Sequence, residues 1–294
     1  LSEPPDCGLC GNAALRPLHR DILIDDPGAG PPRFRTLHRC DSCRSLWSAL
    51  PGSTGDRAYY ESKPIEDHEL LEGGLDRFRQ VRRAVEASLG RRDYSILDVG
   101  CAAGAHLTVY GDAVAKHGIE PSAAAGESLR RRGIDRVGRF LEDLAPDAGF
   151  DVITCLDVLE HLERPAPFLQ GMDRHLRHGG LLVLVTGDID ACSARYGGRR
   201  WLYYALPEHC TFYSAGALAR FLARHGGYRL ERRRRIANQD VDARYLRAFV
   251  RAVARETVLK LLPASRTRGL ELAGRGRFPF FYDNMLLVFR KPGP

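Results

Sequence analysis

Tyr94 to Val99, YSILDV, runs directly into Gly100-Cys101-Ala102-Ala103-Gly104 and then a helical stretch. A strand that passes through a small-residue turn into a helix starts a βα unit, and such units repeat in a parallel sheet with helices on both faces. The pattern does repeat. Val114 to Glu120 reads as a second strand ending in an acid, 22 residues after Asp98; Val137 to Leu141 reads as a third and Phe150 to Cys155 as a fourth. Gly179-Gly180 turns the chain into Leu181 to Thr186, a continuous apolar run typical of a buried parallel strand. Ala217 to His225 reads as a helix, Tyr228 to Ile236 as an edge strand and Asn284 to Arg290 as the last strand. The expected fold is α/β, a doubly wound, Rossmann-like seven-stranded sheet. A chain of 294 residues accommodates one such domain and a small attachment.

The attachment is written in cysteine. Cys7, Cys10, Cys40 and Cys43 form two C-x2-C pairs, whose two-residue spacers let the thiolates converge on one tetrahedral metal. Leu15 to Ile24 and Arg33 to Arg39 read as strands around a Pro/Gly loop, Asp25 to Pro32, so residues 1–50 read as a four-cysteine zinc ribbon. Four thiolates fill the shell of the metal, which makes Zn2+ structural here; disulfides or buried thiols are the alternative. The first residues carry no basic and apolar export pattern, so a reducing, cytoplasmic setting is expected. Cys101 and Cys155, in or beside apolar strands, read as packing residues, whereas Cys192 and Cys210 flank a candidate active segment.

Residues 51–92 read as a linker and an N-terminal helix. Pro51 to Gly74 is rich in Pro, Gly and Glu, with Tyr59 and Tyr60; Phe78, Val81, Val85 and Leu89 then recur at helical spacing. Residues 93–294 form the main domain, with a helical insertion at about 240–275 that reads as a lid or a structural cap. No apolar run approaches the roughly 20 residues of a membrane helix. The net charge is +7, and only Lys63, Lys116, Lys260 and Lys291 among the 44 basic residues are lysine. A basic balance would suit nucleic acid, a membrane surface or anionic small molecules, but because the arginines are spread along the chain, charge alone argues against a nucleic-acid partner.

The glycine turn is not the dinucleotide pattern, since G-x-A-x-G replaces G-x-G-x-x-G. A shorter turn suits a ligand without a pyrophosphate, and an acid ending the second strand suits a ribose diol. LDVGCAAG (97–104), GIEPS (118–122), LEDL (141–144), FDVITCLDVLEHLERP (150–165), HGGLLVLVTG (178–187) and PEHCTFYS (207–214) together resemble the class I S-adenosylmethionine-dependent methyltransferases of the type 12/23 group. The ribbon is similar to the N-terminal zinc domain of sugar C-methyltransferases, whose substrate motif also has Glu-His followed by an aromatic and Ser.

The resemblance implies S-adenosyl-L-methionine as cofactor. Gly100, Cys101 and Gly104 would line its methionine and ribose end, Asp98 would hold its ammonium and Glu120 its ribose hydroxyls. Leu141 with Glu142 or Asp143 would meet the adenine, and Leu156 and Asp157 would close the site. Ala102 departs from the family's usual Gly. Taken one at a time, Asp98, Glu120, Asp157 and Glu160 could equally be helix-capping acids.

Methyl transfer from a sulfonium mainly requires alignment, and an acidic acceptor also requires a base near neutral pKa. His209, in the aromatic-rich segment from Trp201 to Tyr213, is the expected base, with Glu208 orienting it or holding a substrate hydroxyl and His161 in reserve. The expected activity is methylation of a sugar, aromatic or polyketide-like metabolite, on oxygen. An RNA methyltransferase using the ribbon for RNA, or a noncatalytic cofactor-binding protein, are the alternatives.

Overall fold

The computed structural model describes residues 6–24, 33–48, 57–62, 72–237, 243–261 and 283–294. The Asp25–Pro32 loop, most of the 51–74 segment and the second half of the 240–275 insertion lie outside them.

The main sheet contains β4 (Tyr94–Val99), β5 (Val114–Ile119), β6 (Asp135–Gly138), β7 (Phe150–Leu156), β8 (Leu176–Gly187), β10 (Arg229–Ile236) and β11 (Asn284–Arg290). Their order is β10-β11-β8-β7-β4-β5-β6; β4 pairs in parallel with both β5 and β7, and β11 runs antiparallel to β8 and β10. The chain thus winds outward from β4 in one direction and then from β7 in the other. The crevice outside the carboxyl ends of β4 and β7 is the switch point where such sheets bind ligands.

Side-chain alternation divides the core. Leu97, Ile153, Leu182, Leu184, Leu287 and Phe289 face α4 (Pro165–His175) and α6 (Ala215–Gly226), whereas Ile96, Val152, Val183, Val185 and Val288 face α2 (Glu72–Leu89) through Val81 and Val85. Burial on both faces accounts for the unbroken apolar run of β8. Helix α6 is bounded by chemistry its sequence carries: Ser214 Oγ accepts from the Ala217 amide at the start, and Gly227 at φ 65° ends it. The third strand is earlier and shorter than Val137–Leu141, because Phe140 begins a 310 turn, Leu141–Asp143, closed by the Asp143 carboxylate on the Arg139 and Phe140 amides. The helix expected after the glycine turn is likewise only a 310 segment, Ala105–Val109.

The ribbon does not stand apart from this body. Its β1 (Leu15–Leu23), β2 (Phe34–Cys40) and β3 (Leu46–Trp47) form a second sheet whose fourth strand, β9 (Thr211–Phe212), comes from the main domain. Leu46 pairs with Phe212 and Trp47 with Thr211. Ile22, Leu37 and Leu46 share a core with Trp201, Tyr203, Tyr204 and Phe212. The cysteine end docks elsewhere: Gly8 lies so close to the Glu163 carbonyl that a Cβ would sit 2.1 Å from it, and Arg220 donates to the Cys43 carbonyl.

Candidate active site

The turn after β4 is shaped by close approach. Gly100 adopts φ 79° and Gly104 φ 84°, and a Cβ on either would fall within 2.6 Å of Val158 or Ile134 respectively. Ala102 takes φ 46° between them, so the residue that departs from glycine carries left-handed backbone strain on the order of 1 kcal/mol. Cys101 is buried, and its thiol fills the space above Gly118 in β5.

Two acids converge on this turn. The Glu120 carboxylate accepts from the Ala102 amide at 2.9 Å and the Ser122 amide at 3.0 Å, joining the tip of β5 to the loop. Burial raises its pKa, while these amides and Arg136 oppose the rise. Asp98 is buried; Thr154 Oγ1 donates to it, and His106 Nδ1 stands 3.3 Å from its second oxygen. Neither acid caps a helix. The pair, at the carboxyl ends of β4 and β5 with a turn that holds two obligatory glycines, provides the acceptor set a ribose diol and an ammonium require. Leu141 is buried against α4 at Gly171, Glu142 is exposed beside it, and Asp143 is committed to backbone amides.

On the other side of the switch point, Leu156 leads to Asp157, which at φ 53° is also left-handed. Its carboxylate receives Arg77 from α2 and, at 3.0 Å, the Asn284 amide. The turn that follows carries Glu160 and His161. Helix α4 starts after Arg164 without any side-chain cap, so Asp157 and Glu160 are not capping acids.

The histidines come together here. His161 and His209 rings lie 4.9 Å apart edge to face, and Tyr203 packs on His209 at 4.2 Å. Glu208 turns its carboxylate to Tyr59 Oη at 3.3 Å, while its carbonyl faces His161 Nδ1 at 3.2 Å. The carboxylate nearest both imidazoles is instead Glu160, fully enclosed, with Tyr203 donating to one oxygen and Thr186 to the other at 2.8 Å. Burial pushes Glu160 up to about 7, with Asp157 adding to the rise. Tyr59 and Tyr60, on the short helix α1 (Arg57–Ser62), close the group, Tyr60 meeting His161 at 6.2 Å. Pattern reading passed over Glu160, Tyr203 and Thr186 as site residues; the one available signal was that Glu160 neighbours His161 in an otherwise apolar turn.

Among the described residues two groups have metal-ligand spacing. In the first, the Cys7–Cys43 and Cys10–Cys40 sulfurs lie 3.6 and 3.5 Å apart. Tetrahedral Zn–S bonds of about 2.3 Å require edges of about 3.8 Å, whereas a disulfide requires about 2.05 Å, so the four thiols fit a metal and not a pair of cross-links. The second is Glu160, His161 and His209, with ligand atoms within 4.8 Å of one another. Here Tyr203 and Thr186 each donate to one of the Glu160 oxygens and burial favours the neutral carboxyl, which suits proton chemistry better than coordination.

The methyltransferase-domain family model matches residues 74–230. A tRNA U34 carboxymethyltransferase of Actinobacillus pleuropneumoniae is 32% identical over 136 residues, which cover 40% of this chain and 42% of that protein. A ubiquinone biosynthesis O-methyltransferase of Alkalilimnicola ehrlichii is 29% identical over 205 residues, 63% of this chain and 74% of the relative. The match with the first of these relatives thus spans less than half of its length. The N-methyltransferase NodS of Bradyrhizobium japonicum, solved with S-adenosyl-L-homocysteine, shares the fold at TM-score 0.50 and 15% identity, over 82% of this chain and all of that one. Matched by the family model over more than half its length, with a seven-stranded sheet of that order, the chain belongs to the class I S-adenosylmethionine-dependent methyltransferases.

Proposed function

We propose that the protein transfers the methyl group of S-adenosylmethionine to an oxygen of a small hydroxyl-bearing metabolite, a sugar, aromatic or polyketide-like compound, with His209 as the base. The observation that carries this reading is the cluster of His209, His161, Glu208 and Tyr59 beside the Gly100–Gly104 turn, joined to it through the Gly100–Val158 contact. The cofactor when bound supplies an electrophilic methyl on a sulfonium. Glu120 accepts its ribose hydroxyls, Asp98 its ammonium, and the backbone at Leu141 borders its adenine. His209 removes the acceptor proton as the oxygen attacks; Tyr59 and Glu208 hold neighbouring hydroxyls of the acceptor. Zn2+ in the ribbon is structural, because four thiolates leave no open position.

RNA as acceptor is the second reading, favoured by the named function of the tRNA relatives. Against it, three of the four exposed arginines in the densest run already have partners within the chain: Arg233 and Arg235 share Asp188, and Arg232 donates to Ser88 and to the Ala87 carbonyl. The test is a screen of a metabolite panel and bulk tRNA with methyl-labelled S-adenosylmethionine. Label should enter a small molecule, and His209→Ala should lower that turnover roughly a hundredfold with cofactor binding unchanged. Label confined to tRNA would overturn the acceptor class, and a fully active His209→Ala the assignment of the base.

A further inference from the structure

Arg35 is a charge in the wrong place for an ordinary ribbon strand. It sits on β2, is 3% exposed, and has no carboxylate within ion-pair distance among the described residues. A buried guanidinium without a counter-ion costs several kcal/mol, and an apolar side chain would pack there at less cost. Its partners are instead three main-chain carbonyls of one turn: Leu206 at 2.8 Å, Pro207 at 3.3 Å and His209.

That turn is the one that presents His209. The His209 carbonyl is held by Arg35, and the amide on the other edge of the same peptide plane, that of Cys210, donates to the Glu160 carbonyl at 2.8 Å. A planar peptide fixed at both edges by different elements holds the plane after the His209 Cα, and the His209 amide, donating to the Leu206 carbonyl at 3.3 Å, holds the plane before it, so together they set the direction of the Cα–Cβ bond. The next carbonyl, of Cys210, accepts from the Ser48 amide at 2.8 Å, and β9 then joins the ribbon sheet.

We infer that Arg35 is a positioning residue for the acceptor site: from the ribbon it gathers the 206–209 carbonyls and sets the orientation of His209. The inference deepens the proposed function and rests on His209 being the base. The ribbon is then a brace for the acceptor end of the molecule, and the cofactor end, built from β4, β5 and their loops, is independent of it.

The experiment uses the full chain saturated with S-adenosylhomocysteine, in wild type, Arg35→Lys and Arg35→Met. Lys keeps the charge and loses the planar fork; Met keeps the volume and should fold if Lys does not. Three quantities are read: amide exchange at His209 and Cys210, the NMR titration of the His209 imidazole, and affinity for S-adenosylhomocysteine. Glu160, His161 and Tyr203 stand against that imidazole, Glu208, Tyr59 and Tyr60 lie beyond them and Cys210 follows in the chain, and all are unchanged in both variants. Exchange at the two amides should accelerate roughly tenfold or more in both variants. The imidazole midpoint should rise in Arg35→Met, which loses the nearby cation, by about half a unit or more. Cofactor affinity should stay within about twofold. A folded variant with wild-type exchange and wild-type titration overturns the positioning role. Turnover of the small-molecule acceptor by His209→Ala, measured in parallel, overturns the base assignment alone, since the exchange result does not depend on it.

Discussion

Glu120 and Glu160 are both buried carboxylates, yet the groups around them commit them to different work. Among the described residues Glu120 accepts two backbone amides, one on each oxygen, so lone pairs remain for a diol. With Glu120 holding the ribose as proposed, Glu120→Ala would remove two charge-assisted hydrogen bonds, and S-adenosylmethionine affinity measured by calorimetry should weaken by about 2–4 kcal/mol. Unchanged affinity in a folded variant would refute the ribose assignment. Glu160 is enclosed by Tyr203 and Thr186, and burial, with Asp157 adding to it, pushes it up to about 7. A carboxyl whose folded value exceeds its unfolded value binds its proton more tightly when folded. The resulting stabilisation is complete below the ordinary value of 4.5, declines as pH rises toward about 7, and is gone above it. Glu160→Gln, which stays neutral, should therefore exceed wild type in stability at pH 8, by on the order of 3 kcal/mol, and match it near pH 4.5. Denaturant midpoints at the two pH values measure this, and a difference independent of pH would show that Glu160 titrates as it does in the unfolded chain.

At the scale of elements, the two-residue strand β9 links the cysteine cluster to the acceptor segment, since the same sheet that ends in β9 begins in the cysteine ribbon. Purified protein should carry one zinc per chain, and Cys40→Ser should lose it. With the metal gone, protease sites should open both in residues 6–48 and around 201–212, because Ile22, Leu37 and Leu46 share their core with Trp201 and Phe212. Cofactor affinity should persist. Metal analysis finding no zinc, or cleavage confined to the ribbon, would contradict that coupling. The main-sheet strands were legible in the sequence because short apolar runs bounded by glycine are local signals, and so were the four cysteines, whose spacing is itself the signal. Strands β3 and β9 were not: two residues have no period, and their pairing of Leu46 with Phe212 is a contact between distant segments. At the site, His209 and His161 could be picked out as residue types and Glu160 as the chain neighbour of His161, but the enclosure of Glu160 could not, because it is assembled from Tyr203 and Thr186 of other segments. Glu208 shows the converse: adjacent in sequence to His209, it points away, to Tyr59.

Over the whole molecule, several arginines stand in ion pairs, and the net charge of +7 already counts both members of each pair. Arg233 and Arg235 answer the fully buried Asp188, Arg290 answers Glu231, Arg200 the buried Glu256, Arg77 Asp157, and Arg91 and Arg177 share Asp151. Arg35 spends its charge on carbonyls. An arginine held in such a pair cannot release a counterion from nucleic acid without first leaving its partner, so these arginines add less to the electrostatic footprint on a polyanion than their number suggests. A protein of this charge pattern should therefore bind tRNA weakly, with a dissociation constant above roughly 10 µM at physiological salt and a shallow dependence on salt. Filter binding across a salt series measures both quantities. Submicromolar affinity with a slope equivalent to about six or more phosphates, on the order seen for dedicated nucleic-acid binders, would show that the pairs open on contact. The RNA reading of the acceptor would then take precedence over the small-molecule one.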